Sequence, residues 1–353
     1  MNPATPAFEG PVCPRPLDHQ DQIVMGHGSG GRMSHDLIQR VFSAAFSNPA
    51  LNQANDSARL TLPSGRIAVS TDCHIVAPLF FPGGDIGRLA VCGTVNDVAM
   101  SGAVPLYLTA GFILEEGLPI AVLERVVASM QAAAQEAGIQ IVAGDTKVVE
   151  KGKADGLFIT TAGVGWLPEG RQIGGELAAA GDQVLLSGPV GQHGMAVLAA
   201  RGELGFQAEI TSDVAPLNGL IQELLAAAPH THVLRDPTRG GLATTLNEIA
   251  VQSQVSIRID ETAVPILPTV RTVCEMLGFD PLYVANEGKL IAIVPPEELP
   301  AALSALRAHP YGAQAAHIGT VQSQDPGRVL LRTQIGGTRL LDKLAGEMLP
   351  RIC

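Results

Sequence analysis

The sequence predicts two domains of the α/β or α+β class in tandem, followed by a movable tail. Three observations carry this reading. The chain has 353 residues, and single hydrophobic cores stop growing near ~250–300 residues. Hydrophobic residues make up 46% of it but aromatics only 4%, the aliphatic composition of strands covered by helices. Strand-like and helix-like patterns alternate along the chain and lapse once, into Pro, Gly and Ala, between Leu167 and Gly181. The expected organisation is a flexible Pro-rich lead-in over 1–21, a first domain over 22–168, a second over 180–335 and a mobile tail over 336–353.

The elements follow in chain order. A helical stretch is expected from Met33 to Phe46. Arg66 to Asp72 reads as a strand, rich in β-branched residues and ending in an acid. Leu106 to Leu114 is a second strand. Ala121 to Ala137 is an amphipathic helix with Val122, Val126, Met130, Ala133 and Ala137 on one side. Gly138 stops it, as glycine commonly does just past a helix. Ile139 to Ala143 and Gly156 to Trp166 return as strands. In the second domain, strands are expected near Gln183–Ser187, Val255–Ile259, Leu290–Val294 and Val329–Thr333. Helices are expected near Met195–Ala200, Asn218–Ala228, Gly240–Ser253 and Glu297–Ala308. Gly336 and Gly337 open the tail as candidate hinge elements.

The formal net charge is -11, and no basic run breaks it. Such a chain is a poor partner for nucleic acid or anionic membrane. No apolar run approaches the ~20 residues of a membrane span, and the N-terminus shows no signal-peptide pattern. The expectation is a cytoplasmic protein. Its five cysteines, Cys13, Cys73, Cys92, Cys274 and Cys353, form no CxxC pair, which argues against a zinc site. Disulfides are not expected in a reducing compartment. Cys92 and Cys274 lie in apolar, helix-like stretches. Cys353 stands apart as the last residue given.

Several segments could carry chemistry. Gly26-His27-Gly28-Ser29-Gly30-Gly31 precedes the first helical stretch, and glycines let backbone N–H groups approach an anion. It formally matches GxGxxG, but only Ile23 to Met25 precede it, so a flexible phosphate-covering loop fits better than a Rossmann turn. A plain turn is the alternative. Asp72, Asp97 and Asp145 are read at strand ends or turns. Singly, each is explained as a cap or turn acid. Together, with Asn96 beside one and Lys147 near another, they could converge on Mg²⁺, whose shell substrate phosphates complete. No Walker A motif is present. Arg235-Asp236-Pro237-Thr238-Arg239-Gly240-Gly241 precedes a helix. It reads as an N-cap through Thr238 or Asp236, as an anion-facing helix start, or as both. Asn286-Glu287-Gly288-Lys289 reads as a turn between apolar strands, which does not require Glu287. Cys353, on a tail, would be a movable nucleophile.

These segments, with Asn96 to Pro105, Ala143 to Val149 and the Pro350-Arg351-Ile352-Cys353 ending, resemble the HypE family of hydrogenase maturation proteins. The likeness runs from about Ile23 to Cys353. The Asn-Asp and Gly-Asp-Thr pieces are shared with the wider superfamily of aminoimidazole ribonucleotide synthetase and selenophosphate synthetase. The Pro-Arg-Ile-Cys ending is the specific part.

The resemblance implies a two-domain PurM-like fold, in which an N-terminal domain binds ATP and dimerises through its sheet. It implies that a carbamoyltransferase, HypF, loads a carbamoyl group on Cys353. ATP then drives its dehydration to a thiocyanate, and the cyanide passes to iron on a HypC–HypD scaffold. Phosphorylating the amide-like oxygen turns a poor leaving group into phosphate. On this basis Asp72, Asp97 and Asp145 are expected to hold Mg²⁺. His27, Gly28, Ser29, Gly30, Gly31, Asn96, Asp97, Thr146, Asp236 and Arg239 are expected to bind nucleotide. Cys353 is the expected carrier, Glu287 the first choice of base, and Lys147 its assistant or a charge partner of the activated oxygen. The residues leave open a small-molecule ATP-dependent ligase or kinase of the same superfamily, a dinucleotide oxidoreductase and a non-enzymatic scaffold.

Overall fold

A computed structural model describes residues 21–53, 55–202, 209–344, 346, 349 and 352. Cys353, Pro350, Arg351 and residues 1–20 of the lead-in lie outside the described residues.

The first domain opens with a 3-10 turn at Met25–Gly28. Helix α1 (Arg32–Leu37) then runs through a π-helical segment (Ile38–Ser43) into α2 (Ala44–Phe46). Strand β1 (Arg66–His74) follows, then β2 (Phe80–Phe81), β3 (Gly84–Asp85), α3 (Ile86–Met100), β4 (Val104–Glu115), α4 (Ile120–Ala137), β5 (Gln140–Val149) and β6 (Leu157–Leu167). The main sheet has the order β1-β6-β4-β5, antiparallel except for the parallel β4/β5 pair. Gly138 closes α4 in the left-handed region, at φ 69°, a conformation that penalises any Cβ.

Helices α3 and α4 cover one face of this sheet, where Leu123, Val126 and Met130 are fully buried. The opposite face is open. Ile67 and Val69 on β1 are 54% and 64% exposed, and Ile113 on β4 is 41% exposed.

Three expectations change here. β1 continues two residues past Asp72, and β5 runs on from Ala143 to Val149. Asp72 and Asp145 therefore sit inside strands. Asp97 lies in the last turn of α3, not at a strand end. That helix is buried on nearly every side, so it lacks the polar stripe that periodicity detects.

The second domain comprises β7 (Gln183–Leu186), α5 (Gln192–Ala200), α6 (Asn218–Ala227), β8 (Val233–Arg235), α7 (Gly241–Gln252), β9 (Ser256–Asp260), α8 (Pro268–Leu277), β10 (Ile291–Val294), α9 (Leu299–Ala308), β11 (Ala316–Gln322), β12 (Val329–Arg332) and β13 (Thr338–Leu341). They form a seven-stranded sheet of order β13-β12-β9-β11-β7-β10-β8, with β9 and β12 parallel. The predicted tail begins as a strand of this sheet. Gly336, at φ 86°, makes the hairpin turn between β12 and β13, and the Thr333 N–H donates to the Gly337 carbonyl at 2.8 Å. These glycines serve a turn, not a hinge.

Asn96 joins the domains. It is 2% exposed. Its Nδ2 donates to the carbonyls of Ala215 at 3.0 Å and Glu287 at 3.4 Å, and its Oδ1 accepts the Leu217 N–H at 2.7 Å. The amide is fully engaged by backbone, which corrects its expected place as a nucleotide or metal ligand.

Candidate active site

A cleft between the domains gathers carboxylates from both. The Ser70 hydroxyl donates to Asp97 Oδ2 at 2.7 Å. Asp72 shares a hydrogen bond with Asp97, and burial, followed by the Asp97 charge, raises its pKa to about 6. Burial also raises Asp97, opposed chiefly by its hydrogen bonds from Ser70 and Asp72. From the second domain comes Asp236, pushed up to about 7 by burial first and then by Asp97. Arg239 faces Asp72 and Arg235 faces Asp97, each favouring the charged form. Arg235, Arg239, Asp97 and Asp236 line a cavity of about 450 Å³. The segment before α7 caps nothing with a side chain: its N-cap is Gly240 at φ 81°, so Asp236 is left for the cleft.

Glu287 completes the cluster. It is 5% exposed, and its Oε1 has no hydrogen-bond partner among the described residues. Burial, then Asp236 and Asp213, hold its pKa well above the usual carboxylate range. It sits in an irregular loop before β10, not in a hairpin. Asp213 anchors that loop. Its carboxylate accepts the Glu287 N–H at 3.2 Å and the Gly288 N–H at 3.3 Å, and pairs with Lys289 Nζ at 3.1 Å. No motif marks Asp213 in the sequence. Lys289 was visible only as a neighbour of Glu287.

The Gly-rich loop stands elsewhere. It packs over β5 so closely that a Cβ on Gly28 would meet the Val148 backbone nitrogen at 2.9 Å. The Ser29 hydroxyl donates to the Gly26 carbonyl at 2.8 Å, and the Gly30 N–H to Ser34 Oγ at 3.0 Å. His27 Nδ1 accepts the Val24 N–H at 3.0 Å, so this buried ring shapes the turn. Gly30 takes φ 76°; Gly31, Arg32 and the first turn of α1 follow. A cavity of about 220 Å³ lies beneath, lined by His27, Gly28, Gly30, Phe112, Asp145, Thr146 and Lys147. Lys147 Nζ pairs with Asp145 at 2.8 Å and keeps that carboxyl below its usual range.

The expected site is thus divided within one chain. Asp72, Asp97, Asp236, Arg239 and Glu287 come together. Asp145, Thr146 and Lys147 do not join them. Asp72 is paired in register with Thr161, Thr161 with Ala110, and Ala110 with Gly144. Asp145 is therefore about three strand spacings, ~14 Å, from Asp72. Among the described residues no group of three or more carboxylate, His or Cys side chains is arranged to hold a metal unaided. Mg²⁺ asks for less, one or two carboxylates plus phosphate oxygens. Asp97 and Asp236 on an Arg-lined cavity, with Asp72 facing Asp97, fit that requirement.

Near the far end of the chain, Ile352 lies in a neighbouring groove. Ile352 is 4% exposed, and with Leu349 it lines a groove along Val284 and Ala285, just before Glu287.

Comparison with known proteins agrees with this architecture. Residues 54–167 match AIR synthase related protein, N-terminal domain, and residues 179–332 match its C-terminal domain. The chain is 57% identical over 341 residues to the carbamoyl dehydratase HypE of Cupriavidus necator, covering 96% of this chain and 97% of that protein. It is 48% identical to the carbamoyl dehydratase HypE of Escherichia coli K12, covering 94% of this chain and 100% of that protein. A crystal structure of hydrogenase maturation protein HypE in complex with ATP superposes with a TM-score of 0.90 at 54% identity, over 94% of this chain and 99% of that one. A HypE–HypF complex matches with a TM-score of 0.77 at 50% identity, over 87% of this chain and 99% of that one. The thiamine monophosphate kinase of Aquifex aeolicus, 19% identical with a TM-score of 0.57, shares the fold. With both domains matched and relatives alike over nearly their whole length, the chain belongs to the carbamoyl dehydratase HypE family of hydrogenase maturation proteins.

Proposed function

We propose that this chain uses Mg-ATP to dehydrate a carbamoyl group carried on its own Cys353, giving the thiocyanate that supplies cyanide to a [NiFe]-hydrogenase iron site. One observation carries the reading. The penultimate residue, Ile352, is buried beside the loop that holds Glu287, an acid with an unpartnered oxygen. A buried Ile352 next to Val284 and Ala285 supports delivery of the chain end to the Glu287 loop.

Asp72 and Asp97, with Asp236 behind them, hold Mg²⁺ in this reading. The ion supplies charge neutralisation for the phosphates when bound. Arg239 and Arg235 add positive charge at the cleft mouth. The loop from His27 to Gly31 covers phosphates and excludes the water that would hydrolyse an activated oxygen. Glu287 takes one nitrogen-bound proton, and the second departs with the phosphate that carries the oxygen away. Its raised pKa makes its carboxylate a stronger base than an exposed glutamate.

Asp145, Thr146 and Lys147 serve the site through a homodimer. The open sheet face, with Ile67, Val69 and Ile113 exposed, is apolar surface of the kind that a second copy covers. Packing there brings one copy's β5 edge toward the other's β1 edge. HypF, which a HypE relative binds, is the loading partner, and a HypC–HypD scaffold is the acceptor. No helix among the described residues is long and apolar enough to cross a membrane, which suits our placement of the protein in the cytoplasm.

The test is mass spectrometry of the C-terminal peptide after HypF loading. Adding Mg-ATP should make the carbamoylated peptide lighter by one water. An unchanged mass with nucleotide bound would overturn the reading.

A further inference from the structure

His193, in the first turn of α5, is fully buried, and both ring nitrogens are bonded. Nε2 lies 2.7 Å from the carbonyl oxygen of Ile352, and Nδ1 lies 2.8 Å from Ser212 Oγ. A carbonyl only accepts, so Nε2 carries the proton. Ser212 Oγ receives the Val214 N–H at 3.2 Å, which turns its own hydroxyl proton toward Nδ1. The chain of donors runs from a backbone amide through serine and imidazole to the tail. Burial disfavours the charged ring, in keeping with this neutral tautomer.

The same helix start is tied to the Glu287 loop. The Gly191 N–H donates to Asn286 Oδ1 at 2.7 Å, and the Gly194 N–H to the Ala285 carbonyl at 3.1 Å. Asp213, next to Ser212, accepts the Glu287 N–H. The group that grips the tail and the loop that carries the acid are therefore one hydrogen-bonded unit.

We propose that His193 is a positioning residue: its Nε2–H grips the Ile352 carbonyl and so holds the residue that precedes Cys353 in the groove beside the Glu287 loop. This rests on the reading that Cys353 carries the reacting group.

The first readout needs no turnover. Cys353 of the full-length protein is alkylated with iodoacetamide and followed by the mass of the C-terminal peptide. His193→Leu should speed labelling about tenfold, the scale of one lost hydrogen bond, while His193→Gln, which keeps a donor, should stay near wild type. In single turnover from the carbamoylated state, His193→Leu should slow dehydration by a similar factor, with nucleotide affinity and HypF loading unchanged, and His193→Gln should rescue it. Equal labelling in a folded His193→Leu protein would overturn the proposal. So that folding does not decide the matter, ¹⁵N-histidine-labelled protein lacking residues 352 and 353 should show a displaced His193 Nε2 resonance. An unmoved resonance would overturn it too. Failure of the wild type to dehydrate would sink the dehydratase reading instead, leaving the labelling and resonance results to judge the grip.

Discussion

The Asn96 side-chain oxygen accepts the Leu217 N–H at 2.7 Å across the domain boundary. Its Nδ2 meanwhile holds the Ala215 carbonyl and, more weakly, that of Glu287. An asparagine beside a conspicuous acid thus fastens the two halves of the cleft. Replacing it with alanine strands buried backbone groups, at about 1–3 kcal/mol for an unmade buried hydrogen bond. Asn96→Ala should lower the denaturation midpoint accordingly in urea titration. An undiminished midpoint would remove the fastening role.

The paired acids predict proton release on metal–nucleotide binding. Asp72, raised to about 6, and Asp236, raised to about 7, are largely protonated in mildly acidic buffer. A cation requires them ionised. Calorimetry of Mg-ATP binding in buffers of differing ionisation heat should show about one or more protons released near pH 6 and close to none near pH 8.5. Zero release at both values would argue that these acids do not meet the metal.

Glu287→Gln should bind nucleotide, fail to dehydrate, and gain stability as pH rises. Folding raises this acid's pKa above its usual 4.5. Between that value and the raised one the unfolded chain loses a proton that the folded chain keeps, so wild-type stability falls with increasing pH. Glutamine carries no such penalty. The variant's melting temperature should match wild type in acid and exceed it above neutrality. A constant difference at all pH values would contradict the raised pKa of this buried acid.

Subunit mixing tests where Asp145 works. Asp72→Asn and Asp145→Asn proteins should each be inactive. Mixed and allowed to exchange, half of the dimers become heterodimers with one intact shared site, which restores about a quarter of wild-type activity. No recovery after verified exchange would mean that both acids act within one chain or that Asp145 is not required.

The loop over β5 makes a prediction about space. Gly28→Ala places a Cβ against the Val148 backbone and should lift the loop. Nucleotide affinity should fall about tenfold or more, while the melting temperature shifts little, because the loop is at the surface. Unchanged affinity would detach the loop from the phosphates.

Much of this protein was legible in its sequence. The amphipathic helix ending at Gly138, most of the strands of both sheets and the lapse near Leu167 follow from local periodicity and glycine, which depend on near neighbours. Asp97 was singled out as one of three acids whose type suits Mg-nucleotide chemistry, while Glu287 and Asp236 took their roles from the family resemblance. Local pattern marked the stretch around Cys92 as helix-like but did not carry the helix on through Asp97, because burial on nearly every side erases amphipathic contrast. It also mistook the Gly336–Gly337 hairpin for a hinge, since the same glycines serve both. Only the tertiary structure decided that Asn96 is spent on backbone, that Asp145 and Asp72 stand at opposite edges of one sheet, and that Asp213 and His193 brace the Glu287 loop and the tail. Those relationships join residues up to 191 positions apart, and such pairings are settled by how whole sheets and helices pack.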